Sequence, residues 1–283
     1  MSNKTCVITG ATSGIGYGIA KGLAAKNFEL ILIGRDRVKG ESVVENLKTQ
    51  AGNPSITYFN IDLCSQKQIR RAGEEIRDKY PRIDVLINNA GVWTSRWELT
   101  EEKIEKQFAV NHLAYFLLTH LLYPNIANST DGRIINMGSD SHKFGKINFD
   151  DLNLERSYHG LKAYGQSKLA NLLFTYELHR KKQEHHISVY CVQPGLVKTD
   201  IGVKNTNPFH SFMWKLRRLS GMTPEKAAET AIYLATAHEV AGRSGLYWDQ
   251  CKPKPSSDRS KSTEDAARLW KKSEELCGID NYF

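Results

Sequence analysis

The chain has 283 residues, 40% of them hydrophobic, and a formal net charge of +8, which is enough length for a sizeable core and too mixed a composition for a fibrous or disordered protein. Its Lys and Arg are scattered rather than gathered into a basic helix or an aromatic-interleaved patch, so an anionic cofactor and solubility account for the charge and a nucleic-acid partner is not expected. No apolar run reaches the roughly 20 residues that span a bilayer, and five cysteines without paired spacing point to free thiols in a reducing compartment, so a cytoplasmic protein without a signal peptide is expected.

The first element is a short apolar strand, Thr5 to Thr9, running directly into Gly10-Ala11-Thr12-Ser13-Gly14-Ile15-Gly16. Ile15, Ile19, Ala20 and Leu23 then repeat at helical spacing through Lys26. Strand, glycine turn and helix in succession make a phosphate cradle, because glycine lets the backbone approach a pyrophosphate and the helix start offers unpaired N–H groups to an anion. The spacing G-x-x-x-G-x-G matches the common dinucleotide fingerprint in mechanism but not in letter. A second strand, Phe28 to Ile33, ends at Gly34-Arg35-Asp36-Arg37, where such a fold selects its adenosine ribose. Arg35 there favours the 2′-phosphate of NADP(H), and Asp36 is the competing signal for NAD(H), which stays the second option.

Further strands are expected near 55–60, 83–87, 133–137, 187–192 and 245–248, with helices between most neighbours. Continuously apolar runs such as Val85-Leu86-Ile87 suit strands covered on both faces. The expectation is an α/β chain folded as a single Rossmann-type domain over 1–283, with a doubly wound, parallel, seven-stranded sheet whose strand ends gather the motifs on one edge. Asn111 sits inside the apolar helical run Phe108 to Leu122, an odd place for an amide unless it is satisfied locally. Tyr164 and Lys168, four apart on one helical face, bring a phenol and an ammonium together, and a nearby positive charge favours the phenolate. Ser139 lies upstream at a strand end.

Between Asp200 and Thr223, Phe209, Phe212, Met213, Leu216 and Leu219 repeat at helical spacing. The pattern fits an amphipathic lid over an apolar pocket, an interfacial helix meeting membrane lipid, or ordinary core packing. Trp93 and Trp97 line the same pocket or are simply buried. Lys252 to Ser262 reads as an exposed loop before a final helix from Thr263 to Leu276. Nine histidines lack metal-ligand spacing, and no metal is assigned.

Taken together, Thr9-Gly10-x-x-x-Gly14-Ile15-Gly16, Asp62-Leu63, Asn88-Asn89-Ala90-Gly91, Asn111, Ser139, Tyr164-x-x-x-Lys168 and Pro194-Gly195 resemble the short-chain dehydrogenase/reductase family over nearly the whole chain. Within it, Lys162 to Asn171 and the tail Ala267-Arg268-Leu269-Trp270 are most similar to the retinol dehydrogenase-like reductases. Gly138 stands where the family often has serine. The resemblance implies NADP(H)-dependent interconversion of a carbonyl and an alcohol on a lipophilic substrate such as a retinoid, steroid or lipid aldehyde. It implies a cofactor held by Gly10, Ser13, Gly14, Ile15, Gly16, Arg35, Asp62, Leu63, Asn89, Ala90, Gly91, Tyr164, Lys168, Pro194, Gly195 and Thr199. Asn111, Ser139, Tyr164 and Lys168 would be catalytic, with Asn111 anchoring a proton-relay water and Lys168 lowering the Tyr164 pKa. Ser139, Tyr164, Trp93, Phe209 and Met213 would meet the substrate. A homodimer or homotetramer and a peripheral membrane contact are further implications. The alternatives are a non-catalytic NADP(H) sensor on the same fold and a peripheral scaffold using the basic lid, and the intact Ser139, Tyr164 and Lys168 set argues against the sensor.

Overall fold

The computed structural model describes residues 4–182, 184, 186–195, 197 and 221–283. Thr199, Phe209, Met213 and the 200–220 part of the expected lid lie outside the described residues. Strand and helix alternate: β1 Thr5–Thr9, α1 Gly14–Ala24, β2 Glu29–Gly34, α2 Arg37–Ala51, β3 Ile56–Asn60, α3 Gln66–Lys79 and β4 Val85–Asn88. A helical turn α4 Lys106–Phe108, a π-helical turn Ala109–Leu113 and α5 Ala114–Ala127 then form one continuous helical stretch. After them come β5 Arg133–Met137, a 3₁₀ turn Asp140–Lys143, α6 Gly160–Lys181 and β6 Ser188–Gln193. The chain closes with α7 Pro224–Thr236, β7 Leu246–Asp249, β8 Lys252–Pro253, a second 3₁₀ turn Asp258–Lys261 and α8 Thr263–Cys277.

The sheet runs β3-β2-β1-β4-β5-β6-β7-β8. Seven strands are parallel, as expected, and β8 adds a short antiparallel edge pairing Trp248 with Pro253 and Asp249 with Lys252. The central strands are largely apolar because both faces are covered. Val7, Ile31, Leu86, Ile134 and Val189 face the layer formed by α3, α5, α6 and α8. Cys6, Ile8, Leu30, Leu32, Val85 and Ile87 face α1, α2 and α7. Alternate residues thus point to opposite layers, as the pleat requires.

Order reverses between β1 and β4, and in an open parallel sheet the crevice at the carboxyl ends of the strands there is where ligands sit. The stretch Lys252 to Ser262 is not simply an exposed loop. Beyond β8, Ser256 and Ser260 are buried, and Ser256 Oγ meets the Tyr176 hydroxyl of α6 at 2.8 Å. The hydroxyl-rich composition that suggested a solvated loop instead supplies local hydrogen bonds that let the segment pack. The C-terminal end is also anchored. The Tyr282 ring lies 4.6 Å from Phe116 and 4.4 Å from Trp270, centroid to centroid, and its hydroxyl donates to the Phe116 carbonyl at 2.8 Å.

Candidate active site

Gly10 and Gly14 have φ of 66° and 54°, in the left-handed region that glycine tolerates best. Gly16 is needed for space, since a Cβ there would stand 2.2 Å from the Gly10 carbonyl oxygen and 2.5 Å from Asn89 Nδ2. The turn is braced from the neighbouring strand: Asn89 Nδ2 donates to the Thr9 carbonyl at 2.8 Å, and the N–H groups of Asn89 and Ala90 both reach Thr9 Oγ1 at 2.9 Å. Ser13 precedes α1 in extended conformation without a side-chain capping bond. The helix start therefore presents its N–H groups to the crevice, the arrangement that holds a pyrophosphate.

A cleft of about 390 Å³ follows this turn. Gly10, Ser13, Gly14, Ile15, Gly16, Arg35, Asp62, Leu63, Asn89, Ala90 and Gly91 of the expected cofactor set line it together with Trp93 of the expected substrate contacts, so residues from four separate segments meet at one place, while Tyr164 and Lys168 stand outside the lining. Asp62 also shapes its own turn, its Oδ1 accepting the Cys64 N–H at 2.9 Å. Pro194 and Gly195 follow β6 and lie outside the lining, where Gly195, with φ of 80°, packs close to Met222.

After β2, Arg35 and Asp36 sit in different settings. Asp36 caps α2, its carboxylate accepting the Lys39 N–H at 3.0 Å, which fits the preference for Asp at this position. Arg37 is paired with Glu41 at 2.8 Å. Arg35 lines the cleft together with Lys39, which the sequence reading missed although it stands four residues further along the same basic stretch. Thr12, Cys64, Thr94 and Lys106 complete the wall, Lys106 pairing with Glu98 at 2.6 Å. These come from turns whose direction depends on tertiary contacts, and composition alone gives no signal for them.

Asn111 lies in the π turn, fully buried. Its Oδ1 accepts the Val92 N–H at 2.7 Å, and its Nδ2 donates to the Val92 carbonyl at 3.0 Å and to Ser167 Oγ at 3.0 Å. Ser167 is on α6 beside Lys168, so this amide fastens the cleft wall to the helix that carries Tyr164. Tyr115, one helical turn further, donates to the Ala90 carbonyl at 2.7 Å and has the Lys168 ammonium 5.9 Å from its ring centroid.

Ser139 stands two residues beyond β5 and caps the 3₁₀ turn, its hydroxyl accepting the Ser141 N–H at 3.1 Å. Its hydroxyl also acts on the Tyr164 phenol, favouring the phenolate. Burial pushes that phenol up to about 12, with Ser139 pulling against it. Lys168 has Nζ 5.7 Å from the Tyr164 ring centroid and donates to the Met137 carbonyl at 2.9 Å. Burial pushes this ammonium down to about 8. Desolvation, which disfavours both charged forms, raises the phenol, against the lowering expected from its lysine neighbour.

A doubly wound sheet with a glycine cradle at its switch point, a serine just after β5 and a tyrosine and lysine one turn apart on α6 fits a nucleotide-dependent oxidoreductase. The chain matches the short chain dehydrogenase family over residues 4–208 and belongs to that family. It is 38% identical to human retinol dehydrogenase 13 over 98% of this chain and 85% of that protein, and 36% identical to human retinol dehydrogenase 14 over 99% and 88%. Among solved structures, an uncharacterised protein from Mycobacterium paratuberculosis superposes with a TM-score of 0.78 at 31% identity, covering 98% of this chain and 94% of that one. A short chain dehydrogenase from Escherichia coli CFT073, solved in complex with NADPH, shares the fold at a TM-score of 0.70 and 22% identity, covering 89% and 98%.

Proposed function

We propose that the protein is an NADP(H)-dependent oxidoreductase interconverting a carbonyl and an alcohol on a lipophilic aldehyde or ketone such as a retinoid, steroid or lipid aldehyde. The convergence of Ser139 on Tyr164, one helical turn from Lys168 on a helix tied to the cleft wall through Asn111, carries the reading. The cradle fits a dinucleotide, because a Cβ at Gly16 would fill the space that the bare turn leaves. Bound there, the nicotinamide supplies the hydride in reduction and takes it in oxidation.

The chain's own work is proton handling and placement. A phenol whose pKa is pushed up stays protonated at neutral pH and serves as the acid that protonates the carbonyl oxygen in reduction. The Ser139 hydroxyl, which acts on that phenol, orients the same oxygen. The Lys168 ammonium would hold the ribose hydroxyls and give the developing phenolate a positive neighbour.

Preference for NADP(H) over NAD(H) is supported by Arg35 and Lys39 on the cleft wall and by the commitment of Asp36 to capping α2. A lipophilic substrate is supported by Trp93 and Val110 in the cleft and by the names of the retinol dehydrogenase relatives. Among the described residues no helix is long and apolar enough to cross a membrane. Exposed Trp97, Leu99, Phe144 and Leu161, on loops after β4 and β5 and at the start of α6, favour a peripheral lipid contact. NADPH and NADH oxidation measured with retinal, a steroid ketone and short aldehydes tests the assignment; a preference for small hydrophilic carbonyls would remove the lipophilic substrate from it.

A further inference from the structure

We propose that His142 is a positioning residue for Ser139, holding that residue's carbonyl so that its hydroxyl stays on the Tyr164 phenol, and that only the neutral imidazole does this. The inference rests on the reductase reading of the Ser139–Tyr164 pair. His142 is fully buried in the 3₁₀ turn directly after Ser139. Its Nδ1 lies 2.7 Å from the Ser139 carbonyl oxygen, and its Nε2 lies 3.1 Å from the Ser257 backbone nitrogen.

These two partners fix the tautomer. A backbone N–H can only donate, so Nε2 accepts from Ser257, the ring proton sits on Nδ1, and Nδ1–H donates to the Ser139 carbonyl. The same carbonyl accepts the His142 N–H at 3.0 Å. On the far side of the peptide, the Asp140 N–H donates to Gln193 Oε1 at 3.0 Å. Ser139 is therefore gripped at its carbonyl, at the following amide and at its hydroxyl, and His142 joins that grip to the segment beyond β8.

Protonation would put a second ring proton on Nε2, facing the Ser257 N–H, and two donors cannot bond to each other. The surroundings of the ring are mixed. Asp140 and Lys143 share its turn, Tyr247 of β7 meets it edge to face with centroids 5.2 Å apart, and Lys254 after β8 pairs with Asp140 at 2.9 Å. Arg259 of the second 3₁₀ turn donates to the Gly145 carbonyl at 3.1 Å, and Tyr176 of α6 bonds Ser256, next to Ser257. Burial leads in pushing the imidazole below its usual value; the Ser139 carbonyl and Asp140 pull it up, and Lys143 and Lys254 push it down. The neutral form is thus held through the physiological range.

Two substitutions separate the two arms of the ring. An asparagine amide reaches the Nδ1 position and a glutamine amide the Nε2 position, so His142→Asn keeps the bond to Ser139 while His142→Gln keeps only the one to Ser257. With NADPH affinity followed by fluorescence titration and kcat measured on retinal and a short aldehyde, His142→Gln should lower kcat by about ten- to a hundredfold at unchanged NADPH affinity. His142→Asn should recover kcat to within about threefold of wild type. Wild-type kcat should fall as pH drops through the lowered imidazole pKa, and His142→Asn should lack that limb. Nitrogen NMR of the wild type should show the Nδ1–H tautomer whether or not a substrate has been found. Unchanged kcat in His142→Gln, an Nε2–H tautomer, or loss of NADPH binding in parallel with kcat in both variants overturns the proposal. A wild-type protein that reduces no carbonyl overturns the reductase reading and this inference with it.

Discussion

Asn111 and Val92 hold each other by two hydrogen bonds, the side-chain oxygen accepting the Val92 N–H at 2.7 Å and the side-chain nitrogen donating to the Val92 carbonyl at 3.0 Å. The amide behaves like a strand partner for a single residue of the cleft wall, and a third bond to Ser167 carries the constraint to α6. Asn111→Leu should cost about 1–3 kcal/mol, since it leaves polar groups around a buried site without their partner. Denaturant unfolding reads the stability loss, and kcat should fall with it because the wall and the Tyr164 helix separate. Wild-type kcat in a destabilised Asn111→Leu would break the proposed connection.

Tyr164→Phe keeps the ring and removes the proton. NADPH should still bind with an affinity within about threefold of wild type, while carbonyl reduction should drop by about 10²- to 10⁴-fold, the usual contribution of a positioned acid. Fluorescence titration and steady-state NADPH oxidation on the same preparation check both halves. Retained reduction would take Tyr164 out of its role.

Lys168→Met should abolish turnover and make the protein more stable at pH 7. Folding lowers this pKa from 10.5 to about 8, so the unfolded chain binds more protons between those values and wild-type stability rises with pH across that window. At neutral pH the buried ammonium opposes folding by about 3 kcal/mol, and Met removes that opposition. The Met137 carbonyl keeps a donor, because Asn171 Nδ2 also reaches it at 3.2 Å. Thermal melts should show the variant a few degrees above wild type at pH 7 and the gap narrowing toward pH 10. A gap that widens with pH contradicts the sign.

Replacing Arg35 and Lys39 together by Ala should raise the KM for NADPH by about ten- to a hundredfold and leave that for NADH nearly unchanged, because charge-assisted bonds to a phosphate serve only the phosphorylated cofactor. Equal losses for both cofactors would move these two side chains away from the ribose corner.

Gly16→Ala forces a methyl against the Gly10 carbonyl oxygen, a backbone atom with little freedom to move. A loss of about 1–3 kcal/mol in unfolding free energy is expected from such overpacking, with cofactor affinity falling alongside as the turn opens. Calorimetric titration with NADPH is the direct measurement.

The parallel strands were legible because most are largely apolar runs between turn signals, while their register became visible only with the sheet assembled. The glycine turn and the tyrosine–lysine spacing were legible because local geometry alone brings those groups together. The π turn was not, since one extra residue in a turn leaves the apolar helical pattern around Asn111 nearly intact. Nor was the polar seam through the core, where Asn88 Nδ2 donates to Asn136 Oδ1 at 2.9 Å and Asn136 Nδ2 to Thr175 Oγ1 at 3.0 Å. Its members sit in separate strands and in α6, and amides inside apolar runs show no partner until the sheet is assembled. Lys252 to Ser262 is largely exposed, and the burial of Ser256 and Ser260, through hydrogen bonds to one another and to Tyr176 of α6, leaves no mark in its polar composition.

The anchoring of Tyr282 between Phe116 and Trp270 sets an order of events during synthesis. Strands β1 to β5 and the cradle can pair while the ribosome is still working, yet the aromatic pocket over α5 stays open until the residues around 282 have emerged. A nascent chain stalled before that point would carry the glycine turn, the phenol and the ammonium with an unsealed flank beside them, a species that holdase chaperones would be expected to recognise.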